Sequence, residues 1–160
     1  MSEVRPRKPD LTFHAGVDDS GPIVAVAKFQ HFSRSIRIGL GDPQAPGDMI
    51  WEDLTSQSTG HSKYRWEMEV HTNGSSRRQS FLWKRTHYVG LEGHTWSRLS
   101  NRNYKLIDEQ GGNVLALFMS NVASYKESGT LQLYVDYEGQ FDLMVLATVL
   151  SLYEKARRRR

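Results

Sequence analysis

From Phe141 to Tyr153 the chain reads FDLMVLATVLSLY, and apolar side chains fall on almost every angular position of a helix drawn through it. A helix with no wet stripe must be surrounded on all sides. Asp142 falls in its first turn, and Lys155 with Arg157 in its last, so charge complements the helix dipole at both ends. That favours a helix over a buried strand. Thirteen residues at a rise of about 1.5 Å span about 20 Å, whereas a bilayer core takes about 20 residues and about 30 Å. The segment therefore reads as a core helix rather than a membrane span.

What precedes it reads as short strands. Leu11 to His14, Ile23 to Phe29, Arg34 to Leu40 and Met49 to Leu54 are strand-length runs, divided by the turn cluster 18–22 and the proline-bearing loop 41–48. The strongest alternation is Lys63 to His71. Tyr64, Trp66, Met68 and Val70 fall on one face, and Lys63, Arg65, Glu67, Glu69 and His71 on the other. Period two over such a length means an antiparallel strand with one solvated face. Asn73-Gly74 is a hairpin dipeptide, and the polar stretch 72–78 predicts a wider loop before a partner strand from Gln79 to Val89. Asn103 to Asp108, Asn113 to Met119 and Thr130 to Val135 complete eight or nine strands, at the spacing of a sandwich or barrel. Strands curled around one apolar helix account for both patterns. The expected fold is mainly β: an antiparallel barrel around a C-terminal helix at about 140–157, with 1–10 a flexible basic lead-in, 11–157 one domain and 158–160 a basic tail.

Composition excludes several chemistries. There is no cysteine, which removes disulfides, thiolate zinc sites and a cysteine nucleophile. Met1 to Lys8 is polar, with Arg5, Arg7 and Lys8 and no apolar run behind them, unlike a secretory signal. The expected location is intracellular, cytoplasmic or at a membrane periphery, and the sequon Asn73-Gly74-Ser75 reads as a turn. The net charge of +3 and pI near 9.2 come largely from Arg5, Arg7, Lys8 and Arg157–Arg160, leaving a slightly acidic body. A nucleic-acid footprint needs clustered charge on the folded surface, so nucleic acid is not an expected partner.

No catalytic constellation appears. His14, His31, His61, His71, His87 and His94 lie on separate strands or loops, with no i, i+4 pair on a helix. Ser62, Ser80 and Ser97 lack a nucleophile elbow and a histidine partner. Gly39-Leu40-Gly41-Asp42-Pro43 lacks the third glycine and the following helix of a phosphate loop. Asp136, Glu138 and Asp142 do not have the regular oxygen spacing of a calcium loop. No catalytic residue, metal or cofactor is expected. Arg77 and Arg78 next to Gly74, with Lys84 and Arg85 on the following strand, form the one basic group suited to a polyphosphate. The tail Arg157, Arg158, Arg159 and Arg160 reads first as a solubilising tail or a partner of the helix dipole, and alternatively as charge that an anionic membrane attracts.

Several segments resemble an uncharacterised, mainly fungal branch of the tubby C-terminal-like superfamily, which includes LURP-one proteins and phospholipid scramblases. They are KPDLTFHAG (8–16), GPIVAVAKF (21–29), IGLGDP (38–43), WEDL (51–54), HSKYR (61–65), SFLWKRTH (80–87), FDLMVL (141–146) and EKARR (154–158). The resemblance implies a closed twelve-stranded antiparallel barrel threaded by an apolar helix, and a non-enzymatic module that binds anionic phospholipid or phosphoinositide headgroups. The branch usually carries further strands before the KPDLTF segment, where this chain has seven residues, so a barrel left incomplete on that side is expected. An open edge of that kind invites strand pairing, which points alternatively to a homodimer or a protein-interaction scaffold.

Overall fold

The computed structural model of the chain describes residues 8–30, 33–58, 60, 62–86, 103–120 and 129–158. Nine strands come first: β1 (Leu11–His14), β2 (Ile23–Phe29), β3 (Ile36–Leu40), β4 (Ile50–Ser56), β5 (Lys63–Thr72), β6 (Ser75–Arg85), β7 (Tyr104–Asp108), β8 (Val114–Ser120) and β9 (Gly129–Leu133). One helix, α1 (Phe141–Arg158), follows them. The strands lie side by side in chain order as a single antiparallel sheet, the arrangement that short hairpin connections between alternating segments favour.

Alternation decides which residues enter the core. Ile36, Ile38 and Leu40 of β3, the four apolar residues of β5, Phe81 and Trp83 of β6, Tyr104 and Leu106 of β7, and Phe118 of β8 are all buried. A bulge between Leu106 and Ile107, facing β8, sets Leu115 and Ala116 both into the core. One such irregularity sharpens the local twist and helps the sheet curl over the helix. The ladder is interrupted at one place: β4 and β5 pair only at Thr55↔Arg65 and Ser56↔Tyr64.

α1 lies on the concave face, with Phe141, Met144, Val145, Ala147, Thr148, Val149, Ser151 and Leu152 buried. Phe141 packs at 5.3 Å from Phe81 and 6.2 Å from Trp66, which in turn stacks on Phe81 at 4.5 Å. The Trp83 indole N–H donates to Thr148 Oγ at 2.8 Å, and that hydroxyl donates to the Val145 carbonyl at 2.9 Å. A buried polar pair of this kind is tolerated because both members are satisfied. No helix among the described residues is long and apolar enough to cross a membrane.

Two sequence expectations need correction. The helix is not enclosed all round: Leu146 is 38% exposed, Asp142 is exposed, and Leu143, Leu150 and Tyr153 are only partly buried. Asp142, Leu146 and Leu150 recur at i, i+4 spacing and form a stripe along the less covered side of the helix, while Tyr153 still packs edge-on against Phe118 of β8 at 6.1 Å. The reason is the open sheet. Among the described residues β1 pairs only with β2 and β9 only with β8, so no ladder closes a barrel over that stripe.

The second correction concerns 72–78. Thr72 pairs directly with Ser75, and Asn73 and Gly74 have φ of 48° and 78°. That is a two-residue hairpin with both central residues left-handed, the turn for which Asn-Gly is suited. β6 therefore begins at Ser75, not Gln79, and ends at Arg85, with 87–89 outside the described residues. Ser75 to Arg78 read as loop because they are uniformly polar. They are polar because the end of the hairpin projects beyond the core and all four are exposed.

Candidate functional site

Arg77, Arg78, Lys84 and Arg85 all lie on β6, and the two-residue period of that strand separates them. Arg78 and Lys84 point to the outer face, while Arg77 and Arg85 share the face of Phe81 and Trp83. Arg77 donates from Nε and Nη2 to Gln79 Oε1 at 3.3 and 3.1 Å. Arg85 lies opposite Tyr104, and its Nε is buried without a hydrogen-bond partner. The four do not form one cluster, so the loop-borne basic group expected from the sequence is not assembled.

Arg78 is fully engaged. Its two terminal nitrogens fork onto Glu52 at 3.0 and 2.7 Å, and its Nε donates to Glu67 at 3.3 Å. Glu67 also accepts from Arg65 at 2.7 Å and from Ser80 at 3.0 Å, and Arg65 reaches Glu109 at 2.8 Å. The Arg65 hydrogen bond, supported by that of Ser80, holds the Glu67 carboxyl below its ordinary range. The hydrogen bonds that Arg78 donates to Glu52 likewise raise its guanidinium above the ordinary range. This network fills the outer side of the gap where β4 and β5 diverge, a cleft of about 280 Å³ lined also by Asp53, Thr55, Gln57 and Trp66. Its charges satisfy one another, and bidentate Arg–carboxylate pairing is the strong form of that interaction. The cleft braces the break in the ladder.

Lys84 is different. Register places it directly between Lys63 of β5 and Lys105 of β7, so three lysines stand in one row across adjacent strands on the outer face. None of the three pairs with a carboxylate among the described residues. Directly opposed like charges across strands are unfavourable, and three in a row concentrate positive potential where an anion relieves it. Lys63 and Lys105 escaped the sequence reading because each is simply one charged residue on a solvated strand face. Only the register brings them together, and the signal was the shared two-residue parity of Lys63, Lys84 and Lys105 with their neighbouring core residues.

The C-terminal arginines are partly folded back. Glu154 accepts from Arg157 at 2.9 and 2.7 Å and from Arg158 at 3.1 Å. These bonds, that of Arg157 foremost, hold the Glu154 carboxyl below its ordinary range. Arg158 also lies over the Phe29 ring at 5.2 Å and donates to the Asp10 carbonyl. Arg159 and Arg160 lie outside the described residues.

The remaining candidates stay apart. His14 hydrogen-bonds the Gly21 carbonyl at 2.8 Å through Nδ1, and the His71 backbone bridges to Glu138. His31, His61, His87, His94 and Ser97 lie outside the described residues. Ser62 contacts Ser58, and Ser80 donates to Glu67. Gly41 has φ of 122° in the turn after β3, and the Asp42 carboxylate accepts the Gln44 amide there. Asp136 is exposed and Asp142 lies in the first turn of α1. Among the described residues no three histidines or carboxylates converge on a point that suits a metal ion. Compared with protein-family profiles, curated protein sequences and solved structures, the chain matches none.

Proposed function

We propose that the chain is a non-enzymatic binding module of tubby-like fold that docks on anionic phospholipid headgroups through its outer sheet face. The observation that carries this reading is the row Lys63, Lys84 and Lys105 on β5, β6 and β7, which no carboxylate neutralises among the described residues. Each lysine near an anionic surface contributes about 1 kcal/mol, so the row contributes enough to hold the domain at a membrane transiently and in a salt-dependent way. Arg85 lies on the opposite, core-facing side of the same strand and takes no part, while Arg77 and Arg78 are held by Gln79, Glu52 and Glu67. Co-sedimentation with phosphatidylserine or phosphoinositide vesicles at about 0.1 M salt tests the reading. Replacing all three lysines with glutamine is expected to weaken sedimentation by about a hundredfold. It should leave the fold slightly more stable, since cross-strand repulsion is relieved. Wild-type protein that ignores such vesicles, or a triple variant that binds them equally, sinks the idea.

A second reading rests on the open sheet. β1 and β9 each keep one side unpaired among the described residues, and α1 displays Leu143, Leu146 and Leu150 nearby in sequence to both charged ends of the helix. An interaction domain that self-associates over this stripe accounts for that surface. Light scattering that shows a dimer, reduced to monomer by Leu146→Lys, supports it; a monomer at all concentrations argues against it.

A further inference from the structure

On the outer face of β2, β3 and β4 a second feature stands apart from the lysine row. Lys28 of β2 and Arg37 of β3 are direct cross-strand partners, and both lean on one aromatic ring. The Lys28 ammonium is 5.1 Å and the Arg37 guanidinium carbon 5.3 Å from the centroid of Trp51. Together with Gln30 these three side chains line a shallow depression of about 370 Å³ that is largely open to solvent.

The ring's position depends on a particular residue. Trp51 lies opposite Gly39, and a Cβ placed on Gly39 would approach Trp51 Cζ3 to 2.7 Å. Only the absence of a side chain at that position lets the indole rest against β3, and from there it forms a wall of the depression.

The electrostatics are unbalanced. Neither Lys28 nor Arg37 pairs with a carboxylate among the described residues. Neither nearby acid of β4 forms an ion pair with them among the described residues. Asp53, opposite Arg37 in the ladder, makes no ion pair with it and lines the β4–β5 cleft, and Glu52 is held by Arg78. Two adjacent cations thus share one indole face, with the exposed Asp53 opposite Arg37 but not ion-paired to it. Cation–π attraction compensates only a fraction of their mutual repulsion at an exposed site. An anion between them compensates far more, and an Arg fork beside a Lys point charge matches the oxygens of a phosphate.

We propose that Lys28 and Arg37, held over the Trp51 ring, grip the phosphate group of a small phosphorylated molecule, with Gln30 contributing a polar contact. The chemistry recognised is a phosphate monoester. It arises in a soluble compound such as a mononucleotide or in a lipid such as phosphatidic acid, and the test separates the two.

The chain holds four tryptophans, so isotope-labelled protein gives a small set of indole N–H signals, and that of Trp51 is assigned by its loss in Trp51→Phe. Titration with AMP is expected to shift this signal with a dissociation constant of about 1 mM or tighter. Adenosine, which has the ring without the phosphate, should leave it in place. The double variant Lys28→Gln, Arg37→Gln should weaken binding by about tenfold per charge removed. Its two side chains lie on the outer face, and an unchanged amide spectrum shows that it is folded. If AMP is inert but phosphatidic acid vesicles sediment the wild type and not the double variant, the same phosphate chemistry is lipid-borne. The lysine-row triple variant should behave as wild type toward AMP, which separates this site from the membrane reading. Silence toward both AMP and the vesicles overturns the site. So does a response that the double variant retains, or one that adenosine reproduces.

Discussion

At the scale of single residues, the most exacting contact is the Trp83 indole on Thr148. Valine has nearly the shape of threonine, so Thr148→Val removes the acceptor while leaving the packing close to intact. The indole N–H is then buried and unpaired, and stability should fall by about 1–3 kcal/mol in urea denaturation. A change within error would mean that the N–H finds water or another acceptor. Two carboxyls set the response to acid. Glu67 is lowered from its usual 4.5 chiefly by Arg65, and Glu154 from the same value chiefly by Arg157. A depressed folded pKa gives stability that is fully present above 4.5 and is lost as pH falls through the lower folded value. Stability should therefore decline as pH drops below this point, and the decline should be shallower in Glu67→Gln. An equal slope in the variant would remove Glu67 from that role. None of these pairings was legible in the sequence. Arg65 and Glu67 stand two apart on one wet face, but their third and fourth partners, Glu109 and Arg78, come from the turn after β7 and from β6.

At the scale of elements, the β5–β6 hairpin shows where local signals suffice and where they mislead. The alternation over Lys63 to His71 and the Asn-Gly dipeptide located both the strand and the reversal. The polar run after Gly74 concealed that the partner strand starts at once, since polarity reports solvent exposure and not backbone state. With Gly74 at φ of 78°, Gly74→Ala places a Cβ in the left-handed region. It should cost about 1 kcal/mol in thermal or chemical denaturation, with no change at the core end of the hairpin. A neutral outcome would show that the turn relaxes into a wider loop. The bulge that redirects β8 leaves no comparable mark in the sequence, because an extra apolar residue such as Leu115 looks like any other.

At the scale of the whole molecule, the question is how far the sheet encloses its helix. The apolar run from Phe141 suggested burial at every angle, yet the structure leaves Leu146 at 38% exposure while Met144 is fully buried. Leu146→Gln should shift stability by no more than about 0.5 kcal/mol. Met144→Ala should cost about 2–5 kcal/mol through lost contacts and the cavity left behind. Melting curves of the two variants compare them directly. A large loss on Leu146→Gln would mean that another surface covers the stripe, as the self-association reading requires.

The sequence by itself determined the element types. Alternation marked the strands, an unbroken apolar run marked the helix, and its length set it inside a sheet instead of a bilayer. These are local properties of hydrophobic spacing, so they survive without knowledge of any partner. Only the tertiary structure decided which charges meet. Strand register separated Arg77 from Arg78, tied Arg78 to Glu52 and Glu67, aligned Lys63 with Lys84 and Lys105, and set Lys28 and Arg37 against Trp51. Outer-face charges pay no desolvation penalty that would pattern them along the chain, and so their grouping exists only across the ladder.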